Sequence, residues 1–444
     1  MQQGKKSILL FSQAMELGGV ERSLLGLLGA VDYERFEVDV FLMRHCGELL
    51  PYLDPRARLL PELPEYAALA VPMVALLRRG QLRVLRRRLA GRRAARRFDR
   101  RCPAGVPAIT ALTYSHKYTL SAMPMISQKT YDLAVSFLTP HYFVRERVKA
   151  KKYAAWIHTD YTALWFDRAA ELAMWRGYDA ICGVSEETSA GFCAAFPELA
   201  ARVRTIENIL PQELIAQQAQ EPTEDRQPTA APTPDLSLRG AQGAPWQSHR
   251  TQPDAAESGF PRCCAPRKAS EGLRLLSIGR FCRAKNFDSV PDICRRILAE
   301  GLSVTWYLIG YGGDEALIRQ RIAEAGMEEH VVLLGKKSNP YPYLRACDLY
   351  VQPSRYEGKA VSVREAQLLC KPVVITNYAT SSSQLDDGVD GVIVPMDNAG
   401  CAAGIAALLR DPARMQRLSA ACARRDYTNR AEIEKLCALM EDDA

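Results

Sequence analysis

DLYVQPSRYEGKAVSVREAQLLCKPVVITN, Asp348 to Asn377, decides the fold. Two short apolar runs, DLYVQPS and KPVVITN, enclose a polar loop and then SVREAQLLC, whose apolar residues recur at helical spacing. Apolar runs without polar alternation read as strands buried on both faces, and such strands joined through a helix pair in parallel. The pattern continues outward. LRLLSIG (Leu273–Gly279), VTWYLIG (Val304–Gly310) and HVVLLG (His330–Gly335) lie upstream and GVIVP (Gly391–Pro395) downstream. FDSVPDICRRILAEG, DEALIRQRIAEAG and YPYLRAC fall between the runs as amphipathic helices. This predicts a doubly wound α/β domain.

The first 212 residues repeat the theme less regularly. KSILLFSQ precedes a helical VERSLLGLLGAV, and FEVDVFLM, YDLAVSFLT, YAAWIHTD and YDAICGVSEETSAGFCAAF follow. A second α/β domain is expected there. Glu221–Ser270 changes character: it has eight prolines and no periodicity, the composition of a disordered linker or insertion. The expected boundaries are an N-terminal domain over 1–212, a linker over 213–270, a C-terminal domain over 271–425 and a final helix over 426–444. The cleft between the domains is the expected ligand site.

Hydrophobic residues make up 48% of the 444, enough for sizeable cores. The longest apolar run, AALAVPMVALL (Ala67–Leu77), has eleven residues, far short of the ~20 of a membrane span. The apolar run after the basic N-terminus is too short for a signal peptide and reads as a first strand. Thirteen cysteines without framework spacing suit reduced thiols in a cytosol. The net charge of +7 is uneven: Arg78–Arg101 holds twelve arginines and one aspartate, leaving about −4 for the rest. That segment reads as a solvated helix face, a nucleic-acid site or a lipid-binding helix. The absence of aromatic interleaving argues against nucleic acid. Leu82, Val84, Leu85 and Leu89 among the charges favour an anionic membrane surface.

The chemistry centres on Glu357 and Glu365. Ser362 and Glu365 fit the S-x-x-E of a capping box, which leaves Glu357 unexplained on a loop at the carboxyl end of a strand, where ligands of open sheets bind. Two carboxylates flanking a helix N-terminus suit a ligand with hydroxyls at its ends and an anionic middle. The backbone N–H groups of Gly358, Lys359, Ala360 and Val361, with the helix dipole, would attract phosphate. A nucleotide-sugar has that form.

PSRYEGKAVSVREAQLLCKPVVITN resembles the paired-glutamate signature of the retaining glycosyltransferases of GT-B fold, the family-4 or group 1 type that includes many bacterial polysaccharide and glycolipid transferases. The similarity extends over both domains, about 390 of the 444 residues. It implies two Rossmann-like α/β domains facing across a cleft. By resemblance, Glu357 contacts the donor sugar and Glu365 the ribose. Arg280 and Lys285 in SIGRFCRAKNFD clamp the diphosphate, the physics of fixed cations at a charged leaving group. Gly310 in GYGGDE and Lys336 in GKKSNPYPY lie at the nucleoside end. Gly18 and Gly19 in ELGGVERSLLGLL let backbone approach phosphate or acceptor. His158 in WIHTDY stands near the reaction centre, with Asp160 as a lesser candidate. Asn286 stands where many relatives have glycine. Asn208 is set aside because Ile209 replaces a glycine.

No D-x-D is present, so a metal-independent reaction is expected, with no cofactor beyond the nucleotide-sugar substrate. The resemblance further implies same-face attack by the acceptor with retention, a lipid-linked or saccharide acceptor, and a peripheral position on the cytoplasmic side of a membrane. A sugar-nucleotide epimerase of the same fold and a non-catalytic sugar-nucleotide binder are the alternatives.

Overall fold

The computed structural model describes residues 5–103, 106–138, 140–223 and 272–441. The N-terminal sheet comprises β1 (Lys6–Ser12), β2 (Phe36–Leu42), β3 (Arg58–Leu59), β4 (Thr130–Ser136), β5 (Lys149–Ile157), β6 (Ala180–Gly183) and β7 (Val203–Thr205). Its order is β3-β2-β1-β4-β5-β6-β7, all parallel. The C-terminal sheet comprises β8 (Leu273–Ile278), β9 (Val304–Ile309), β10 (Val331–Gly335), β11 (Leu349–Gln352), β12 (Val373–Thr376) and β13 (Val392–Val394). Its order is β10-β9-β8-β11-β12-β13, again all parallel. The order of strand addition reverses once in each sheet, between β1 and β4 and between β8 and β11. Crevices at such switch points are where open sheets bind ligands.

The continuous apolar runs arise because both faces of each sheet are covered. In β1, Leu9 and Phe11 enter one core cluster while Ile8 and Leu10 enter another on the opposite face. In β12, Val374 faces one cluster and Val373 and Ile375 the other. This is the strand period of two with no solvent face.

Three expectations need correction. The linker does not begin at 213: Gln212–Gln218 is a helix, and Ile215 is fully buried in the C-terminal domain's core. The proline-rich remainder, with Cys263 and Cys264, lies outside the described residues. The final helix is shorter than the expected 426–444 and spans Glu432–Ala438. It crosses back, and Ile433, Leu436 and Cys437 join the cluster of Ile8 and Leu10.

The third correction concerns the arginine segment. Leu82–Asp99 is a helix, but Val84, Leu85, Gly91 and Ala95 are buried against the protein. Gly91 is needed there, because a Cβ would stand 2.7 Å from the Tyr114 carbonyl oxygen of the helix Thr110–Thr119. Arg88 is turned inward too, donating to the carbonyls of Ala68 at 2.8 Å and Val71 at 2.7 Å. The apolar stripe read as lipid-facing is therefore core, and only Leu82 of that set is exposed. No helix among the described residues is long and apolar enough to cross a membrane.

Candidate active site

Between the domains lies a cleft of ≈ 400 Å³. Its walls bring together every residue singled out in the sequence for a donor: Gly18, Gly19, His158, Arg280, Lys285, Gly310, Lys336, Glu357, Lys359, Ala360, Val361 and Glu365, with Gly358 in the same loop. The domains touch closely beside it. A Cβ on Gly19 would stand 3.1 Å from the Val361 side chain, and one on Gly358 would stand 3.1 Å from the His158 carbonyl oxygen. Glycine at both positions permits this approach.

Glu357 sits on the loop after β11, and three neighbours hold its Oε1. Lys285 Nζ is at 2.6 Å, Ser354 Oγ donates at 2.5 Å, and Gln352 Nε2 lies at 3.4 Å. The residues read separately as sugar contact and diphosphate clamp thus form one ion pair, little exposed on either side. Arg280 is exposed at the cleft and has no side-chain hydrogen bond or ion pair among the described residues. Its five N–H donors suit a diphosphate.

The helix Val361–Leu368 aims its N-terminus into the cleft, with no side-chain cap at Ala360. The capping box is not formed: Ser362 Oγ lies 3.3 Å from Gln352 Oε1, and Glu365 turns elsewhere. The Ala360 N–H, one of the amides expected to meet phosphate, donates to Gln384 Oε1 at 2.7 Å.

Glu365 is fully buried. Arg22 Nη1 donates to both its oxygens, at 2.8 and 2.9 Å, and Tyr341 Oη donates to Oε1 at 2.8 Å. The Arg22 guanidinium lies 4.9 Å from the Tyr341 ring centre. Burial works against the arginine's charge, but Glu365 and Tyr341 outweigh it and hold its pKa above the ordinary value. Arg22 belongs to the N-terminal domain and Glu365 to the C-terminal one, so this pair spans the cleft.

Three further ion pairs join the domains, the longest of them Arg364 to Glu207 at 3.5 Å. Lys359, its ammonium buried, pairs with Glu207, which also accepts from Asn429 Nδ2 at 2.9 Å. Burial, then Arg364, lowers the Lys359 pKa. Lys336 pairs with Glu48 and lies 5.0 Å from the Tyr311 ring centre. The side chains of Lys359 and Lys336 are thus engaged by the opposite domain. Arg22, Tyr341, Glu207 and Glu48 escape sequence reading because each lies outside the linear motif it contacts. Position offered one hint: Arg22 stands on the first turn after Gly18–Gly19.

His158 closes β5. Its Nε2 lies 2.9 Å from the Phe137 carbonyl oxygen. A carbonyl only accepts, so Nε2 carries the proton and Nδ1 is left as an acceptor. Burial lowers its pKa to about 4, so the ring is neutral at ordinary pH. Asp160 does not line the cleft; it caps the following turn through Thr162 N at 2.8 Å. Asn208, set aside in the sequence, does line it and accepts from Ser23 Oγ at 2.8 Å. Asn286 has a physical reason for its place: φ is +58°, a left-handed backbone that glycine and asparagine adopt most readily. Glu21 folds back over Gly18, and burial raises its pKa to about 7.

Comparison with known proteins agrees with this architecture. Residues 265–425 match the family described as glycosyl transferases group 1. The amylovoran biosynthesis glycosyltransferase AmsK of Erwinia amylovora is 29% identical over 141 residues, 30% of this chain and 35% of that protein. A Campylobacter jejuni N-acetylgalactosaminyltransferase, named for a diphospho-undecaprenol acceptor, is 28% identical over 125 residues, 28% of this chain and 33% of that protein. The chain therefore matches about a third of the length of these curated relatives. The structure of Anabaena HepE in complex with UDP and glucose superposes with a TM-score of 0.61 at 16% identity, covering 98% of this chain and 99% of that one. The likeness to glycosyl transferases group 1 thus lies in residues 265–425, within a chain that has the two-domain GT-B fold.

Proposed function

We propose that the protein is a retaining, metal-independent glycosyltransferase. It takes a nucleotide-sugar into the cleft and passes the sugar to a lipid-linked or saccharide acceptor of a bacterial surface polysaccharide or glycolipid. The observation that carries this reading is the ion pair of Lys285 with Glu357 beside Arg280 and an uncapped helix N-terminus. The relatives' names, a polysaccharide transferase and one acting on a diphospho-undecaprenol, support the reaction class and acceptor. HepE, crystallised with UDP and glucose, supports the donor.

In this reading the C–O bond between sugar and diphosphate breaks as the acceptor hydroxyl attacks the same face. The bonding electrons leave on the diphosphate, and a diphosphate oxygen takes the acceptor's proton. Arg280, Lys285 and the helix N-terminus stabilise the departing charge. Glu357 grips sugar hydroxyls, while neutral His158 accepts from one through Nδ1.

The partner surface is an anionic membrane. With the apolar stripe buried, the attraction is carried by the outward arginines, among them Arg83, Arg86, Arg87, Arg92, Arg93, Arg96 and Arg97, all exposed. Val74, Leu77 and Leu82, at 62%, 56% and 48% exposure, stand beside them as points of shallow insertion. Each arginine near such a surface is worth about 1 kcal/mol.

The test is a panel of nucleotide-sugars scored by thermal stabilisation, since a ligand of the folded state raises the midpoint by mass action. A donor is expected to raise it, and Arg280→Ala to abolish the rise. Transfer that requires added magnesium or manganese would remove the metal-independent part of the reading.

A further inference from the structure

Of the four ion pairs that join the domains among the described residues, one has a carboxylate with no exposure at all. The Lys336–Glu48 side chains are 38% and 35% exposed; Lys359 is 4% exposed but its partner Glu207, shared with Arg364, is 27% exposed, whereas Arg22 and Glu365 are 10% and 0% exposed. Exposed pairs contribute little, but a buried carboxylate that loses its cation is left at high cost. Glu365 also retains capacity. Oε1 accepts from Arg22 and Tyr341, while Oε2 accepts from Arg22 alone among the described residues. A carboxylate offers about four lone-pair sites, so one on Oε2 remains for a ligand hydroxyl. The Arg22 Nε–H is itself buried and has no hydrogen-bond partner among the described residues.

We propose that Arg22 is a positioning residue for Glu365: it reaches the carboxylate only when the two domains are closed, fixes its orientation, and thereby makes donor binding depend on closure. This rests on the reading of Glu365 as the nucleoside-side carboxylate. The open state leaves Glu365 with Tyr341 as its partner from its own domain. Closure adds a cation with two hydrogen bonds and fixes one oxygen toward the ligand. The geometry asks for both groups together, so removing either disables the same function.

Calorimetric titration with UDP, GDP and ADP tests it on the full chain. Arg22→Met is expected to weaken the best-bound nucleotide by about 10- to 100-fold, and Glu365→Gln by a similar factor. The double variant R22M/E365Q is expected to bind no more weakly than the worse single variant, because coupled groups are non-additive. Arg22→Lys, which keeps the charge, is expected to recover most of the affinity, which a purely space-filling role would not allow. Wild-type affinity in Arg22→Met, or losses that multiply in the double variant, overturns the proposal while leaving the donor site standing. If the wild type binds none of the three nucleotides, the donor reading fails and this one with it. Should Arg22→Met not fold, the double variant carries the test, since it leaves no buried unpaired charge. Binding equal to wild type there counts against the proposal, as does a loss 10- to 100-fold beyond that of Glu365→Gln alone, whereas a loss no greater than that variant's supports it.

Discussion

Lys285 serves two anions in the proposed reaction, the Glu357 carboxylate now 2.6 Å away and the departing diphosphate. Lys285→Met removes both services. It is expected to lower turnover by more than ~100-fold, the scale of losing one charge-stabilising donor, and Glu357→Gln to lower turnover more than donor affinity. Initial rates with the true donor decide both. These two residues were legible because each belongs to a linear motif at the end of a strand. Arg22 and Glu207 were not, because their partners come from the other domain, and a motif carries no record of what folds against it. A second residue-level consequence follows from buried histidines. Burial lowers the pKa of His116 to about 4, His141 to about 3 and His158 to about 4. The unfolded chain takes up protons on them below about pH 6.5, before the folded chain does. Their contribution is therefore complete above pH 6.5 and is lost as pH falls toward 4. Glu21, raised to about 7 by burial, acts oppositely between 4.5 and 7, and buried Glu171, also raised, acts in the same sense, two groups against three. Denaturant unfolding is expected to show stability declining from pH 6.5 to 4. A flat profile over that window means the rings are wetter than the structure places them.

The arginine helix shows what pattern reading recovers at the level of an element. Its spacing correctly divides a charged face from an apolar one. It does not say what covers the apolar face, and here protein covers it, with Val84 at 3% and Leu85 at 8% exposure. The arginines divide accordingly. Arg86, Arg87 and Arg92 are outward, and changing all three to glutamate is expected to abolish sedimentation with anionic liposomes while moving the melting midpoint little. Arg88 is structural. Arg88→Glu loses two partly buried hydrogen bonds and sets a carboxylate against two carbonyls, an expected loss of about 1–3 kcal/mol. Equal sedimentation with neutral and anionic vesicles would reduce the outer face to a solvated surface. The strands of the C-terminal sheet were the easiest elements to read, because six buried runs alternate with helices at short spacing. The two-residue β3 and three-residue β7 carry too few apolar residues to register.

On the scale of the whole molecule, the helix Glu432–Ala438 has a consequence for synthesis. A ribosome releases the chain from the N-terminus, so β1 to β7 emerge long before the residues that cover part of their core. Ile8, Leu10 and Leu28 share a cluster with Ile433, Leu436 and Cys437. The first domain must therefore wait, partly uncovered, through more than two hundred further residues of translation. Chains stopped near residue 212 are expected to aggregate or to be held by chaperones, since transiently exposed apolar surface is what such systems capture. A chain ending at Ala431 is expected to fail alike, though it lacks no residue of the cleft. Recovery of a soluble, nucleotide-binding product from that shorter chain, measured by fractionation and calorimetry, would show that the helix is dispensable. Otherwise this late-emerging helix acts as a completion signal, and the first domain's core closes only once it has been made.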